Sequence, residues 1–303
     1  MDARGRRKAS LPPDFAGGEV EIRRGDLSRV LYEASRDTTE YLFGDHITSL
    51  TETPGGVDVT FKHAPARTFD LVIGADGMHS GVRALAFGEE ARFSRFMGAY
   101  FASFSAGPLE REGELVTYNA PGRFVSAGLL VFRTEQLLDY DRQDVEVQKR
   151  IVAGAYTGAG WRTGEIIEAM LAAPDFYLDS ISQIRMEQFT DGRVALLGDA
   201  GHGATIGGMG TGLGIVGAYV LAGELAAAGG DHRVAFPRYQ ELMRPYAWGS
   251  MGNAGKFLAP RGKRGILLRN QMVKLMSCGP VIKMMGRMDM KVASNITLPD
   301  YEG

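Results

Sequence analysis

The chain has 303 residues, is 45% hydrophobic and 23% charged, and carries a formal net charge of −2, a globular composition with room for one large domain or two ordinary ones. Near-balanced charges of both signs exclude the basic footprint of a nucleic-acid-binding protein. The single cysteine, Cys278, excludes an internal disulfide and a cysteine-cluster metal site and suits the reducing cytoplasm. The first fifteen residues are partly basic and lack an apolar segment of signal-peptide length, and no uninterrupted apolar run reaches bilayer-spanning length. A soluble, cytoplasmic chain without an integral membrane segment is the expectation.

In chain order, residues 20–23 read as a short strand. Asp26 is a fair helix N-cap, and Leu27, Val30, Leu31 and Ala34 give the apolar stripe of a helix. Residues 41–43, 47–51 and 57–63 read as strands, the last two joined as a hairpin across Pro54-Gly55-Gly56. Residues 69–75 form a buried strand of parallel type that stops at Asp76-Gly77. A helix then starts near Ser80 and carries Val82, Arg83 and Leu85. Arg83 is either a ligand for a phosphate or carboxylate or a solvated helix arginine.

From residue 91 to 177 the texture changes to alternating, aromatic-rich runs. Residues 99–104, 114–119 and 124–132 read as antiparallel strands, with Pro121-Gly122 as a turn. Helices are expected over 144–156 and 164–172, before residues 176–184 lead onward. Beyond residue 230 the sequence is helical and rich in methionine and basic residues, over 236–251 and 266–276, with Pro245 bending or breaking the first helix. The basic residues suit either a helix lying on an anionic membrane or a packed helix with a solvated cationic face. The methionines suit an adaptable pocket or plain core filling.

The most informative stretch is residues 193–225. A strand over 193–198 stops at Gly198-Asp199, and Gly210 begins a segment with Leu213, Val216, Val220 and Leu221 at helical spacing. Glycines at 207, 208, 210, 212 and 214 leave bare backbone near a helix start, whose N–H groups favour negative charge. A flat, anionic-leaning ligand would fit there; a glycine-rich corner that lets a helix pack closely on a sheet would read the same way. Gly212, Gly214 and Gly217 match G-x-G-x-x-G, but the strand has already ended at Gly198 and no βαβ unit surrounds them, so the match reads as chance. His46, His63, His79 and His232 show no metal-ligand spacing, and G-x-S-x-G, P-loop and paired-carboxylate signatures are absent.

Gly198-Asp199-Ala200-Gly201-His202, followed by a glycine-rich loop and a helix of small residues, resembles the second FAD motif of flavin-dependent aromatic hydroxylases of the para-hydroxybenzoate hydroxylase type. Gly74-Ala75-Asp76-Gly77-Met78-His79-Ser80 with Arg83 resembles that family's Asp-Gly motif, and Arg24-Gly25-Asp26-Leu27 resembles its Arg-x-Asp-Leu segment. The motifs stand in the family's order, and the resemblance covers nearly the whole chain. It implies an α/β (mixed α+β) fold of the FAD-binding para-hydroxybenzoate-hydroxylase type with an antiparallel substrate sheet. Residues 1–90 and 178–230 would form a discontinuous, partial FAD-binding domain, 91–177 the substrate-binding sheet domain, and 231–303 a C-terminal helical region.

The resemblance also implies cofactor contacts at Arg24, Asp76, Gly77, Arg83, Gly198, Asp199, Gly208, Gly210, Thr211 and Gly212. Asp199 would hold the ribityl chain, Arg24 the flavin region, Asp76 and Gly77 the phosphate side, and the backbone from Gly208 to Gly212 the pyrimidine edge. The implied reaction is FAD-dependent hydroxylation of an aromatic or polyketide-like small molecule by molecular oxygen, through a flavin C4a-hydroperoxide, with NADPH or NADH as co-substrate. A non-catalytic homologue acting as a binding module, or a flavin-dependent reductase without oxygen insertion, are the alternatives. The resemblance allows a homodimer. Tyr100, Phe101, Phe104, Tyr118 and Phe132 are either substrate-pocket residues or core aromatics. His202 belongs to the cofactor's surroundings or carries a proton.

The sequence departs from the family in three places. Family members open with strand, G-x-G-x-x-G and helix, whereas this sequence begins Met1-Asp2-Ala3-Arg4-Gly5-Arg6-Arg7 and reads as an N-terminally truncated form. Where the family places a proline after the second motif, Ala204-Thr205-Ile206 stands here. Gly212 occupies the place of an expected polar residue.

Overall fold

The computed structural model describes residues 1–6, 22, 24–110, 116–205, 210–249, 257–276 and 297–301. Helix α1 (Arg24–Ser35) precedes strands β1 (Ile47–Thr53), β2 (Gly56–Phe61), β3 (Arg67–Phe69) and β4 (Val72–Gly74), and the short helix α2 (Gly81–Ala86). Strands β5 (Ser94–Ser103), β6 (Thr117–Ala120), β7 (Arg123–Ser126) and β8 (Leu129–Arg133) follow, then helices α3 (Val145–Ala155) and α4 (Thr163–Ala172). The chain returns through β9 (Tyr177–Ile184), β10 (Thr190–Asp191) and β11 (Val194–Leu196). It continues as α5 (Asp199–His202), α6 (Gly210–Ala227), α7 (His232–Gly249) and α8 (Lys263–Met276).

The strands form three sheets. One is the antiparallel set β1-β2-β3; a second has the order β10-β11-β4, with β11 and β4 parallel; the third is antiparallel, in the order β6-β7-β8-β5-β9. Period-two alternation divides the third sheet's side chains between its faces. On one face Tyr100, Phe104, Tyr118 and Phe132 pack under Val152, Tyr156, Ile166 and Met170 of the α3–α4 region. On the other, Ala99, Phe124, Val131 and Ile181, with Phe101 and Leu129 beside them, meet Leu258 and Ala259. Tyr156 reaches through the first layer, and its hydroxyl donates to the carbonyls of Phe124 and Val131 at 2.8 Å each. A separate core joins Val72 and Leu196 of the parallel pair to Leu213 and Val220 of α6 and to Tyr239 and Met243 of α7.

Several sequence expectations are corrected. The apolar run 69–75 is two strands, because Phe69 pairs with Val57 while Val72–Gly74 pairs with Val194–Leu196; the chain changes partner at Asp70-Leu71. The run 124–132 is likewise two strands, turned at Gly128 with φ +80, and Ser126 Oγ donates across the turn to Leu129 O at 2.9 Å. Residues 41–43 do not form a strand: Tyr41 stacks on Phe43 at 5.6 Å and edges onto Tyr32, and no strand lies alongside them among the described residues. Asp26 lies within the first turn of α1 rather than capping it, and its carboxylate accepts from Arg29. The helical stripe of α1 leaves Val30 and Leu31 more than half exposed. Helix α7 carries through both Pro237 and Pro245. The strand expected over 20–23 lies outside the described residues except Ile22, and of the basic C-terminal positions Lys256, Lys283, Arg287 and Lys291 also lie outside them.

Helix α6 is long and apolar enough by composition to cross a bilayer, but here it packs on α7 and buries Leu213, Gly217, Val220 and Leu221. Residues 297–301 lie across it: Tyr219 donates to Pro299 O at 3.0 Å, and the Tyr301 hydroxyl reaches Glu224 Oε1 at 2.6 Å. A Cβ added at Gly223 would overlap the Tyr301 ring. Gly223→Ala is therefore expected to displace this terminal strap, lowering stability by about 1–2 kcal/mol and speeding proteolysis near Tyr301. Thermal denaturation with timed proteolysis measures both.

Candidate functional site

The parallel strands β4 and β11 end side by side, and each runs into a glycine-containing turn and a short helix. After β4, Gly74 has no room for a side chain, since an added Cβ would lie 2.7 Å from Val82 Cγ1 and 2.8 Å from Leu196 Cδ2. Gly77 turns with φ +84, the left-handed region that favours glycine, and no described atom lies within 4 Å of where its Cβ would be. The Asp76 carboxylate accepts from the Ser80 hydroxyl and from Val82 N–H at 3.1 Å. Ser80 in turn caps α2 by accepting from Arg83 N–H at 2.9 Å. After β11, Gly198 takes φ 60 and ψ −136, and Asp199 opens α5.

The two turns are tied together from inside. Arg83 is 0% exposed; its Nη1 donates to Ala200 O at 2.9 Å, and its Nη2 donates to Met78 O at 2.6 Å and to Glu90 Oε2 at 3.1 Å. Burial pulls this guanidinium below its usual pKa, against the opposing charges of Glu90 and Asp76. It is thus neither a solvated helix arginine nor free to reach outward, and its part in the site is to hold the loops. Gly203 makes the contact close: a Cβ there would lie 2.6 Å from Met78 Sδ and 2.8 Å from Asp199 Cα.

Both loops also rest on β9. Ile184 N–H donates to Gly203 O at 2.8 Å, and Thr205 N–H to Ser182 O at 3.1 Å. On the other loop, the His79 ring lies 3.0 Å from Glu90 and 3.0 Å from Asp179 of β9.

Above the turns lies the start of α6. The position of a Gly210 Cβ is 3.7 Å from Asp199 Oδ1, so the Asp199 carboxylate sits against the helix's first residue. A Cβ added at Gly198 would lie 3.6 Å from Gly214 Cα, Thr211 is exposed, and no described atom lies within 4 Å of a Gly214 Cβ. Gly217 serves packing instead, with Leu197 Cδ1 2.9 Å from its Cβ position. The result is a carboxylate beside the start of a helix, whose first N–H groups have no partner within the helix itself and whose dipole favours negative charge. This donor and acceptor set fits the hydroxylated chain and the flat, electron-rich ring of a flavin.

The structure therefore brings Asp76, Gly77, Arg83, Gly198, Asp199, Gly210, Thr211 and Gly212 to one end of the parallel pair. Gly208 lies outside the described residues, and Arg24 opens α1 with its side chain also outside them. His202 is a core residue, 1% exposed and edge-on to Phe189 at 5.3 Å, with neither ring nitrogen bonded to a described residue. Burial pushes its pKa down to about 4. Of the aromatic candidates, Tyr100, Phe104, Tyr118 and Phe132 are core beneath α3 and α4, and Phe101 alone lies on the opposite face. The His79–Asp179 contact escapes sequence reading because the two are 100 positions apart. Among the described residues no group of three or more His, Cys, Asp or Glu side chains is placed to hold a metal ion.

Two glycine turns from parallel strands, meeting at the start of α6 beside an antiparallel sheet, define an α/β protein with an attached second sheet. No protein-family model matches the chain. It is 40% identical over 240 residues to an uncharacterized protein of Mycobacterium tuberculosis, an alignment spanning 73% of this chain and 62% of that relative's length. It is 33% identical over 297 residues to a flavin-dependent monooxygenase of Legionella longbeachae, spanning 94% of this chain and 74% of that protein. The crystal structure of tetracycline destructase Tet(51) superposes with a TM-score of 0.74 at 31% identity, covering 94% of this chain and 76% of that one. The chain belongs to the flavin-dependent monooxygenase family, and its fold is the one the motifs led us to expect.

Arg83→Met is expected to cost about 3–5 kcal/mol, since it leaves the buried Met78 and Ala200 carbonyls without their donor and takes one cation from Glu90; urea denaturation measures the loss. The His202 ring is expected to stay neutral, with constant proton shifts by NMR from pH 8 to pH 5, and to protonate only toward pH 4 as stability falls.

Proposed function

We propose that the protein is a FAD-dependent monooxygenase acting on an aromatic or polyketide-like small molecule. The observation that carries this reading is the Asp199 carboxylate set against Gly210, beside the open backbone of Gly77 and Gly214. When bound, FAD supplies the redox chemistry that activates molecular oxygen, with NADPH or NADH as reductant.

In this reading Asp199 accepts hydrogen bonds from the ribityl hydroxyls. The N–H groups at Gly210, Thr211 and Gly212 serve the pyrimidine edge, where the helix start favours negative charge, and the same role at Gly208 rests on the family resemblance alone. Asp76 acts through the turn it holds: its carboxylate is engaged by Ser80 and Val82, which leaves Gly77 to offer backbone to the phosphate side. Arg83 fixes the spacing of the two loops, Gly198 lets α6 approach, and Arg24 completes the flavin region. The substrate lies against the sheet face that carries Phe101 and Leu129, whose apolar surface suits a flat ring system. The name of the solved relative, a tetracycline destructase, supports a fused-ring substrate class.

In this reading residues 1–90 and 178–230 form the cofactor unit, 91–177 the substrate unit and 231–303 a C-terminal region, with β9 serving both of the first two. A cytoplasmic location belongs to the same reading.

Asp199→Ala is expected to abolish FAD retention while the circular-dichroism spectrum stays that of the wild type. The visible spectrum after FAD addition and desalting reads the first, and NADPH-dependent oxygen uptake with labelled-oxygen incorporation reads the turnover. Full retention with normal incorporation in the variant overturns the assignment.

A further inference from the structure

We propose that His79 is a positioning residue, a cationic clasp between Glu90 and Asp179 that fixes the Asp76–Ser80 turn on β9 and so sets the geometry of the cofactor site. The first half rests on the contacts of this chain alone; the second rests on the FAD reading above.

Each ring nitrogen faces a carboxylate. Nδ1 lies 3.0 Å from both Glu90 oxygens, and Nε2 lies 3.1 and 3.0 Å from the Asp179 oxygens. Carboxylates only accept, so both nitrogens must donate, and only the imidazolium does that. Asp179 is 3% exposed and needs the charge more than a surface acid would. Its remaining capacity is met by the Tyr177 hydroxyl at 2.9 Å and Ser180 N–H at 2.6 Å. Among the described residues the other groups facing the cluster are Arg83 of α2 and Arg142 ahead of α3, both on Glu90 at 3.1 and 3.9 Å, and Tyr100 of β5 and Tyr140, which sense the Asp179 charge.

The position of the clasp gives it consequence. The loop after β11 is pinned to β9 at Ser182 and Ile184, and Asp179 stands on the same strand a few residues earlier. Arg83 ties the loops to each other; His79 ties the Asp-Gly turn to the strand that the other loop already uses. Without it, a turn centred on Gly77, which has no neighbour among the described residues within 4 Å of its Cβ position, is anchored through Arg83 alone among the side-chain ties described above. Burial pushes the His79 ring down, but hydrogen bonds to Asp179 and Glu90 and their charges outweigh it and hold the pKa at about 9. A raised pKa contributes stability in full below the unfolded value, near 6.5, and loses it as pH rises through about 9.

The test compares wild type, His79→Gln and Asp179→Asn. In the flavin-free proteins, thermal midpoints from pH 6 to pH 10 and amide exchange of a peptide spanning residues 74–82 are recorded. The wild-type midpoint is expected to fall through pH 9, the Gln variant to be flat in that window with exchange roughly tenfold faster, and the Asn variant to shift the fall toward neutral pH. A wild-type profile flat through pH 9, an unshifted Asn variant or unchanged exchange overturns the clasp. FAD titration by flavin fluorescence then reads the second half, with a roughly tenfold weaker Kd expected in the Gln variant. Equal affinity in the two overturns positioning, whereas a wild type that binds no FAD sinks the cofactor reading and leaves the clasp to be decided by exchange and pH profile.

Discussion

A guanidinium with no access to water must find its acceptors within the protein, and Arg83 finds them on both loops of the site. Arginine keeps its charge under almost any burial, so the cost of desolvation is recovered only if those acceptors stay in place. Met78 O and Ala200 O are therefore fixed relative to one another, and Glu90 balances the charge. The approach this imposes explains why residue 203 is glycine, since Met78 Sδ occupies the space a side chain would need. One internal cation thus converts two turns from separate strands, 117 positions apart at the bond to Ala200, into a single floor.

That floor is set against the second sheet through β9. Its register with β5 is fixed from Ser94↔Ile184 to Ser103↔Tyr177, with an irregularity between Phe96 and Tyr100. The strand is buried along nearly all its length, so its position follows from the core beneath α3 and α4 rather than from the loops it carries. Packing far from the site therefore decides where Ser182, Ile184 and Asp179 stand, and the loops are fitted to them. This is an arrangement in which the aromatic core residues Tyr100 and Phe132 matter to the site without touching it.

Much of this was legible in the sequence, and the failures share a cause. The strand-loop-helix over 193–225, the hairpin over Pro54-Gly55, the helix start near Ser80 and the two helices before β9 follow from local periodicity and turn chemistry. Where local signals are silent, the reading stopped. An apolar run such as 124–132 does not announce the turn at Gly128, because its residues are apolar on both sides of it. Residues 41–43 have strand-like composition without a strand to pair with. Arg83, His79 and His202 all sit in recognisable motifs, but a motif states residue type and order; it says nothing of whether a side chain faces inward. Only the tertiary contacts separate the buried tie, the charged clasp and the neutral core imidazole.

The glycines of α6 carry the argument one step further. A glycine inside a helix costs roughly 0.5–1 kcal/mol relative to alanine, so each one kept needs a compensating reason. Gly217 has one in Leu197 and Gly223 has one in Tyr301, both of which occupy the space of a side chain. At Gly210 an added Cβ would make only ordinary contact with the Asp199 carboxylate, at 3.7 Å. Gly214 has none: nothing among the described residues lies within 4 Å of its Cβ position, and its backbone faces the turn at Gly198. An alanine there would be more stable in the helix and would clash with nothing described. In the proposed reading the flat ring of the flavin lies over Gly214, with the Asp199 carboxylate and the start of α6 beside it.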